Sequence, residues 1–204
     1  METDEKPTIT PLENGPLLVA KLTGLEGEDG VIKTDPKTAL CRCGMSKNKP
    51  FCDGAHTDAG FSSERGENEN DERLVFEGDP VTFYENIAIC SHAGFCPRGT
   101  PGDWRPKDGE QEFTDQELIE KVRKCPSGAL SYARGGSEHR DQERPPKIRV
   151  KQGGPLEIEG GIELRNTEWG EGASREHYAL CRCGASKMKP FCDGSHDEVW
   201  ADGE

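Results

Sequence analysis

The sequence predicts an α+β protein in which two small β-rich modules flank a small α+β domain. Three observations predict this class. A sixteen-residue segment containing cysteines occurs at 41–56 and again 140 residues later, at 181–196. Apolar and polar residues alternate around the second copy, as in strands with one buried face. A helix signal at Thr114–Glu117 lies between the copies and matches a capping box. The predicted domains are 1–60, 73–133 and 145–204.

Composition and charge restrict the class further. Only 31% of the 204 residues are hydrophobic, so three modules need metal ions or disulfides as additional stabilisation. Nine cysteines are available, and their odd number and the absence of an apolar N-terminal stretch favour reduced thiols in a cytoplasmic protein. The apolar runs are too short to span a membrane. The net charge of −13 argues against binding to nucleic acid or anionic lipid.

The two outer modules are predicted to be short strands that lead into a cysteine loop. The first module has a loose alternation over Leu17, Val19 and Leu22. The last module has a clearer one, formed by Ile148, Val150, Leu156, Ile158, Ile162 and Leu164. Segments 57–72 and 134–146 are rich in charge and glycine, so we expect them to be linkers.

The central segment has its own strand and helix signals. Strands are predicted at Leu74–Phe76, at Val81–Tyr84 and through Leu130 and Tyr132. A helix begins after the capping box, and its buried stripe is predicted to consist of Leu118, Ile119 and Val122. Cys125 follows the helix, and Pro126 and Gly128 prevent the helix from continuing.

The repeated loop carries three thiols and one imidazole at fixed spacing. The donors are Cys41, Cys43, Cys52 and His56 in the first copy and Cys181, Cys183, Cys192 and His196 in the second. Zinc is the first rival, but structural zinc sites pair their cysteines as C-x2-C or wider, whereas these loops begin with C-x-C. Two irons would divide the donors into Cys41 with Cys43 and Cys52 with His56. Each loop also carries one arginine and two lysines, which could offset cluster charge or meet an acidic partner.

The pattern C-x-C-x2-S-x3-P-x-C-D-G-S-H of the second copy resembles the CDGSH iron-sulfur proteins, also called the NEET family. The first copy matches except at Ala55, where the family often has serine. This resemblance implies a [2Fe-2S] cluster at each loop, held by three cysteines and one histidine. The family pairs two such loops beneath a strand-swapped β cap in a homodimer. We therefore expect an intramolecular pseudo-dimer with a pseudo-twofold axis, or alternatively a homodimer of two chains.

The histidine ligand that the resemblance implies gives these clusters a specific chemistry. By formal charges the oxidised site carries about −1 and the reduced site about −2. The added electron raises the proton affinity of the imidazole nitrogen that is not bound to iron. Reduction is therefore expected to couple to protonation, and acid is expected to detach the histidine and release the cluster.

Cys90, Cys96 and Cys125 form the central set, and His92 lies between the first two. The stretch C-x-H-x3-C with the later C-P-S-G-A-L resembles the divergent 4Fe-4S mono-cluster domain, which is ferredoxin-like. The resemblance implies that the three cysteines bind a [4Fe-4S] or [3Fe-4S] cluster. His92 is the candidate fourth ligand, or a nearby hydrogen-bond donor. Buried free thiols, or a disulfide plus one leftover thiol, are the alternative.

We expect a protein that transfers single electrons with coupled protons. The alternatives are cluster storage or transfer, redox sensing, and a structural zinc protein that binds other proteins. The expected partners are redox proteins or apo iron-sulfur acceptors. The sequence has no Ser-His-Asp arrangement, phosphate-binding glycine loop or paired carboxylates with supporting context, so we do not expect an enzyme.

Overall fold

The fold is mostly β-sheet, so the predicted α+β class fits it only loosely. A computed structural model describes residues 6–22, 24–67, 71–94, 96 and 113–200. In these residues the strands are β1 (Thr8–Pro11), β2 (Leu17–Ala20), β3 (Gly24–Gly27), β4 (Gly30–Lys33), β5 (Lys37–Leu40), β6 (Arg73–Phe76), β7 (Val81–Asn86), β8 (Leu130–Arg134), β9 (Ser137–His139), β10 (Lys147–Val150), β11 (Leu156–Glu159), β12 (Glu163–Leu164) and β13 (Tyr178–Leu180). The helices are α1 (Ala55–Asp58), α2 (Asp115–Lys124) and α3 (His196–Val199).

Two of the three sheets combine strands from both outer modules. The first sheet has the order β12-β1-β2-β5, and β12 comes from the last module. It pairs in parallel with β1, with Thr8 opposite Glu163. The second sheet has the order β13-β11-β10-β3-β4, and its β3-β4 hairpin comes from the first module. Arg149 lies opposite Glu26 where the hairpin joins. Each outer sheet is therefore completed by strands of the other module.

The alternation of apolar residues explains most of these strands. Leu17 and Val19 are buried in β2, and Leu156 and Ile158 are buried in β11. These predicted strands are confirmed. The β3-β4 hairpin was not predicted, because it is short and glycine-rich and its apolar Val31 is exposed.

The two cysteine loops meet through a pair of glycines. Gly44 and Gly184 both have positive φ, at 79° and 84°. A Cβ atom on Gly44 would lie 2.5 Å from the Cys183 carbonyl oxygen, and one on Gly184 would lie 2.6 Å from the Cys43 carbonyl oxygen. Neither position has room for a side chain, so the loop backbones touch reciprocally.

The central module is an antiparallel sheet with the order β6-β7-β8-β9, and α2 packs against β8. Its predicted strands and helix are confirmed. The capping box is present, because the Glu117 N–H donates to Thr114 Oγ1 at 3.3 Å and the Thr114 N–H donates to the Glu117 carboxylate at 2.8 Å. The predicted apolar stripe of α2 is buried. No helix in the described part of the chain is long and apolar enough to cross a membrane.

One of the two segments predicted to be linkers contains a strand instead. Segment 134–146 contains β9, which pairs with β8, so that prediction was wrong. In segment 57–72, the Gly66 N–H donates to the Lys187 carbonyl at 2.8 Å. Residues 61–67 have no helix or strand, as expected of a linker, but Gly66 still contacts the second cysteine loop.

Candidate metal centres

Each cysteine loop is shaped by a buried serine. Ser46 Oγ donates to the Phe51 carbonyl at 2.7 Å and accepts from the Asn48 N–H at 3.0 Å. Ser186 makes the same two hydrogen bonds in the second loop. Both hydroxyls thus serve the loop geometry, as the sequence indicated, and neither is available as a nucleophile.

An aspartate closes the second half of each loop. Asp53 accepts from the backbone N–H groups of Lys47 and Ala55 at 2.8 and 3.1 Å. Asp193 accepts the equivalent bonds and a further one from Ser195 Oγ at 2.7 Å. The first copy lacks this hydroxyl because it has Ala55. Burial raises the pKa of Asp193, but these hydrogen bonds outweigh burial and hold it below its usual value.

The predicted ligands come together in pairs. In the first loop, the Sγ atoms of Cys41 and Cys43 are 3.7 Å apart, and Cys52 Sγ is 3.4 Å from His56 Nδ1. The second loop repeats this arrangement, with 3.7 Å between Cys181 and Cys183 and 3.3 Å between Cys192 Sγ and His196 Nδ1. Two thiolates on one tetrahedral metal, each about 2.3 Å from it, are separated by about 3.8 Å. Each pair therefore has the spacing for one metal ion.

The four donors of a loop do not converge on one point. Among the described residues, the donor atoms of Asp141, Glu176 and His177 are the only set of three found within 4.8 Å of one another. No three of the four loop donors meet that limit. A single tetrahedral zinc ion would require all four donors to be closer than this, whereas a two-iron core would not.

Two buried arginines lie beside the loops. Arg42 Nε donates to the Gly15 carbonyl at 2.7 Å, and Arg182 Nε donates to the Gly154 carbonyl at 2.9 Å. Burial lowers the pKa of Arg42, and the Cys181 thiol of the other loop opposes this shift. The Arg42 guanidinium is thus held within the electrostatic range of the Cys181 sulfur atom, where it favours negative charge.

Burial keeps several of the thiols protonated in the absence of metal. It raises the pKa of Cys43 and raises that of Cys192 far above the usual range. Cys181 and Cys183 share a hydrogen bond, which raises the pKa of Cys181 and lowers that of Cys183. Because iron binds the thiolate form, loading either loop must release protons.

The three central cysteines influence one another electrostatically. The pKa of Cys90 is raised to about 12, mainly by burial and further by the nearby Cys125 and Cys96 thiols. The pKa of Cys96 is raised to about 11, mainly by burial and further by the Cys125 thiol. Cys90 and Cys125 are buried and Cys96 is half-buried. The three predicted ligands are therefore within electrostatic range of one another; Cys90 directly follows the short 3-10 helix Ile87–Ile89, and Cys125 directly follows α2.

His92 makes a different contact from the one expected. Its backbone N–H donates to Cys90, but its ring lies against Gly194 of the second loop. Its Nδ1 is 3.5 Å from Asp197 Oδ2. The side chain thus faces the neighbouring loop, and the fourth ligand of the central set stays a prediction.

Sequence reasoning missed Glu85, a buried carboxylate near the central cysteines. It raises the pKa of both Cys90 and Cys96. The sequence did carry a signal for this residue. Glu85 follows Val81 and Phe83 on the buried face of β7, and a charged residue on a buried face is unusual.

A buried polar network next to β13 was also missed. His177 Nδ1 lies 2.8 Å from Glu176 Oε2, and Ser174 Oγ donates to Asp141 at 2.6 Å. Arg144 binds Glu176 through Nε at 3.0 Å and Nη2 at 2.6 Å. Since this guanidinium already neutralises the carboxylate, the group is an ion-pair network and not a cation site.

Comparison with known proteins agrees with this arrangement. The family model described as iron-binding zinc finger CDGSH type matches residues 14–57 and 153–197. The model described as divergent 4Fe-4S mono-cluster matches residues 76–135. The uncharacterized protein YjdI of Escherichia coli strain K12 is 33% identical over 61 residues, which cover 28% of this chain and 80% of YjdI. YjdI of Escherichia coli O157:H7 matches with the same identity and coverage.

The matched regions coincide with the sites described above. Each CDGSH match includes three of the paired cysteines, and the central match includes Cys90, Cys96 and Cys125. This chain belongs to the CDGSH family of iron-binding proteins, and its two CDGSH regions flank a divergent 4Fe-4S domain.

Proposed function

We propose that the protein is a non-catalytic one-electron carrier with a [2Fe-2S] cluster at each outer loop and a [4Fe-4S] or [3Fe-4S] cluster at the central cysteines. The pairing of the loop donors is the observation that carries this proposal. Each loop presents two pairs with tetrahedral spacing and no set of three close enough for one ion. A structural zinc protein fits this geometry poorly.

The chain's own groups have distinct roles in this proposal. A [2Fe-2S] cluster bound at either loop takes up and gives back one electron. His56 and His196 bind through Nδ1, which leaves Nε2 to hold a proton. In the second loop His196 Nε2 is 3.4 Å from Asp197 Oδ1, so this carboxylate can accept a hydrogen bond from the protonated Nε2. Arg42 and Arg182 favour the added electron and oppose the added proton.

We further infer that the two loops form a pseudo-twofold pair within one chain. The exchange of strands between the outer sheets supports this, as do the reciprocal contacts at Gly44 and Gly184. Arg42 and Arg182 make matching bonds to Gly15 and Gly154. A monomer in solution is the expected state, and size-exclusion chromatography with light scattering measures it.

The test is the spectrum and metal content of anaerobically purified protein. We expect a red-brown protein with eight irons and eight sulfides per chain if the central cluster is [4Fe-4S], or seven irons and eight sulfides if it is [3Fe-4S]. A redox titration should give two types of electron paramagnetic resonance signal. Cys52→Ser and Cys192→Ser should each remove part of the [2Fe-2S] signal. Cys125→Ser should remove the signal of the central cluster. A colourless protein that contains zinc would contradict the proposal.

Cluster donation is a second candidate function, favoured by the half-exposed Cys52 and His56 of the first loop. A partly exposed histidine ligand gives an acceptor a place to begin ligand exchange. Its partners would be apo iron-sulfur proteins, whereas the leading function requires redox proteins. We propose a cytoplasmic location for either role. Mixing the holo-protein with an apo-ferredoxin separates the two functions, because a pure electron carrier keeps its absorbance.

A further inference from the structure

The two loops are almost identical in sequence but differ in burial. In the second loop Cys192 is 2% exposed and His196 is 6% exposed. Their counterparts in the first loop, Cys52 and His56, are half-buried. The same contrast holds at one of the three positions where the loops differ in sequence, since Asn48 is exposed whereas Met188 is fully buried. The difference therefore comes from the surroundings of each loop.

The second loop is covered by two other parts of the chain. The His92 ring of the central module lies so close to Gly194 that a Cβ there would come within 3.0 Å of it. His92 is only two positions after Cys90, so this contact places the central set next to the second loop. On another side, the Gly66 N–H donates to the Lys187 carbonyl and Lys189 lies over the Phe61 ring.

The first loop has no comparable cover among the described residues. No described atom lies within 4 Å of a Cβ built on Gly54, the counterpart of Gly194. Met45 is 61% exposed, and Lys47 is exposed beside it. Both residues line an open cleft of about 760 Å³ that continues to the β3-β4 hairpin. A partner protein can therefore reach this loop directly.

We propose that the first loop alone is the site from which the protein gives up a [2Fe-2S] cluster, while the second loop is an internal site that faces the central cysteines. The acceptor is an apo-protein with four thiols and an acidic patch, which the exposed Lys47 and the half-buried Lys49 attract, while Glu28 and Asp29 line the hairpin side of the cleft. This inference rests on the [2Fe-2S] ligation proposed above and on cluster donation, the second of the two functions proposed there.

The transfer needs no oxidant or reductant. The [2Fe-2S] core keeps its oxidation state as four bonds break, to Cys41, Cys43, Cys52 and His56, and four bonds to acceptor thiolates form. The three donor thiolates take up three protons and the imidazole stays neutral. The four acceptor thiols release four protons, so one proton passes to solvent.

The experiment mixes the holo-protein with an apo plant-type ferredoxin and follows both proteins by visible absorbance and native mass spectrometry. Samples are treated with an alkylating reagent at intervals, and the modified cysteines are mapped by peptide mass spectrometry. We expect Cys41, Cys43 and Cys52 to become alkylated as the acceptor gains one cluster per chain. Cys181, Cys183 and Cys192 should react at least about tenfold more slowly, the ratio that about 1.4 kcal/mol of extra opening free energy gives. His56→Cys should slow the transfer, and added salt should do the same.

Several results would overturn the inference. Equal alkylation of both loops would show that burial does not control release, and earlier alkylation of the second loop would reverse the assignment. A holo-protein that keeps all its clusters would also refute it, although the proposed ligation would stand. A protein without [2Fe-2S] absorption before mixing would instead refute the proposed function. His92→Ala provides a second test, because removal of its ring should speed alkylation of Cys192.

Discussion

The contact between His92 and Gly194 can be tested with a matched pair of substitutions. Gly54 and Gly194 are equivalent positions of the repeat, with φ of 91° and 87°. Alanine at either position meets the same backbone strain. Only at Gly194 does the new methyl group overlap another side chain, the His92 ring. The difference between Gly54→Ala and Gly194→Ala therefore isolates the contact between the central module and the second loop.

The expected magnitudes follow from these geometries. Left-handed strain costs about 1–2 kcal/mol for a non-glycine residue, and both variants share it. Overpacking adds about 1–3 kcal/mol at Gly194 only. Taking about 2 kcal/mol for the overlap, a chain of this length should unfold at a temperature roughly 4–8 °C lower in Gly194→Ala than in Gly54→Ala.

The assay is thermal unfolding of both holo-variants at one scan rate, followed by circular dichroism and visible absorbance. Iron and sulfide contents are measured first, so that incomplete loading is not mistaken for instability. His92→Ala in the Gly194→Ala background should restore the unfolding temperature to that of Gly54→Ala, because it removes the overlapping ring. Equal unfolding temperatures for the two glycine variants, or no rescue, would refute the contact.

Three further predictions concern the ligands and the ion-pair network. His92→Ala should leave the iron content of the central set unchanged, because the His92 ring faces the second loop, whereas Cys125→Ser should lower it; equal iron loss in both would make His92 a ligand. The midpoint potential of the outer clusters should fall by about 59 mV for each pH unit near neutrality, because reduction and protonation are coupled, and His196→Cys should remove this slope from its own cluster; a flat potential in the unmodified protein would contradict the coupling. Glu176→Gln should lower the free energy of unfolding by about 2 kcal/mol at pH 7, since it breaks a largely buried ion pair with Arg144. Burial raises the pKa of Glu176, but the hydrogen bond from Arg144 outweighs burial and holds it at about 2, below the ordinary 4.5. The difference in the free energy of unfolding between the unmodified protein and Glu176→Gln, measured with denaturant, should therefore shrink as pH falls from 4.5 towards 2. A difference that stays constant over this range would argue against this ion pair.

Local patterns in the sequence were sufficient for the elements whose signals are local. The capping box at Thr114 and Glu117 predicted the start of α2, because its two hydrogen bonds join residues three positions apart. The C-x-C start of each loop predicted the pairing of Cys41 with Cys43, because one intervening residue keeps the two sulfur atoms close. Alternating apolar residues predicted β10 and β11, because residues two positions apart in a strand face the same side of the sheet.

Contacts between distant segments left no comparable signal. The β3-β4 hairpin joins a sheet through Glu26 and Arg149, which are 123 positions apart. Nothing in either local pattern specifies that pairing. The burial of the second loop depends on His92, a candidate ligand of the central set, and on Gly66, which lies in a predicted linker. Two nearly identical sequences could therefore not indicate that only one of them is covered.

The exchange of strands between the outer sheets sets the order in which the chain can fold during synthesis. The first sheet lacks its edge strand until Glu163–Leu164 has left the ribosome, and the β3-β4 hairpin has no sheet to join until β10 has emerged. The central module, whose strands and helix are contiguous, can fold before either outer sheet. The usual vectorial order, in which the N-terminal domain folds first, therefore applies only in part to the first module. The reciprocal contact of its cysteine loop at Gly44 can form only after Gly184 has been translated.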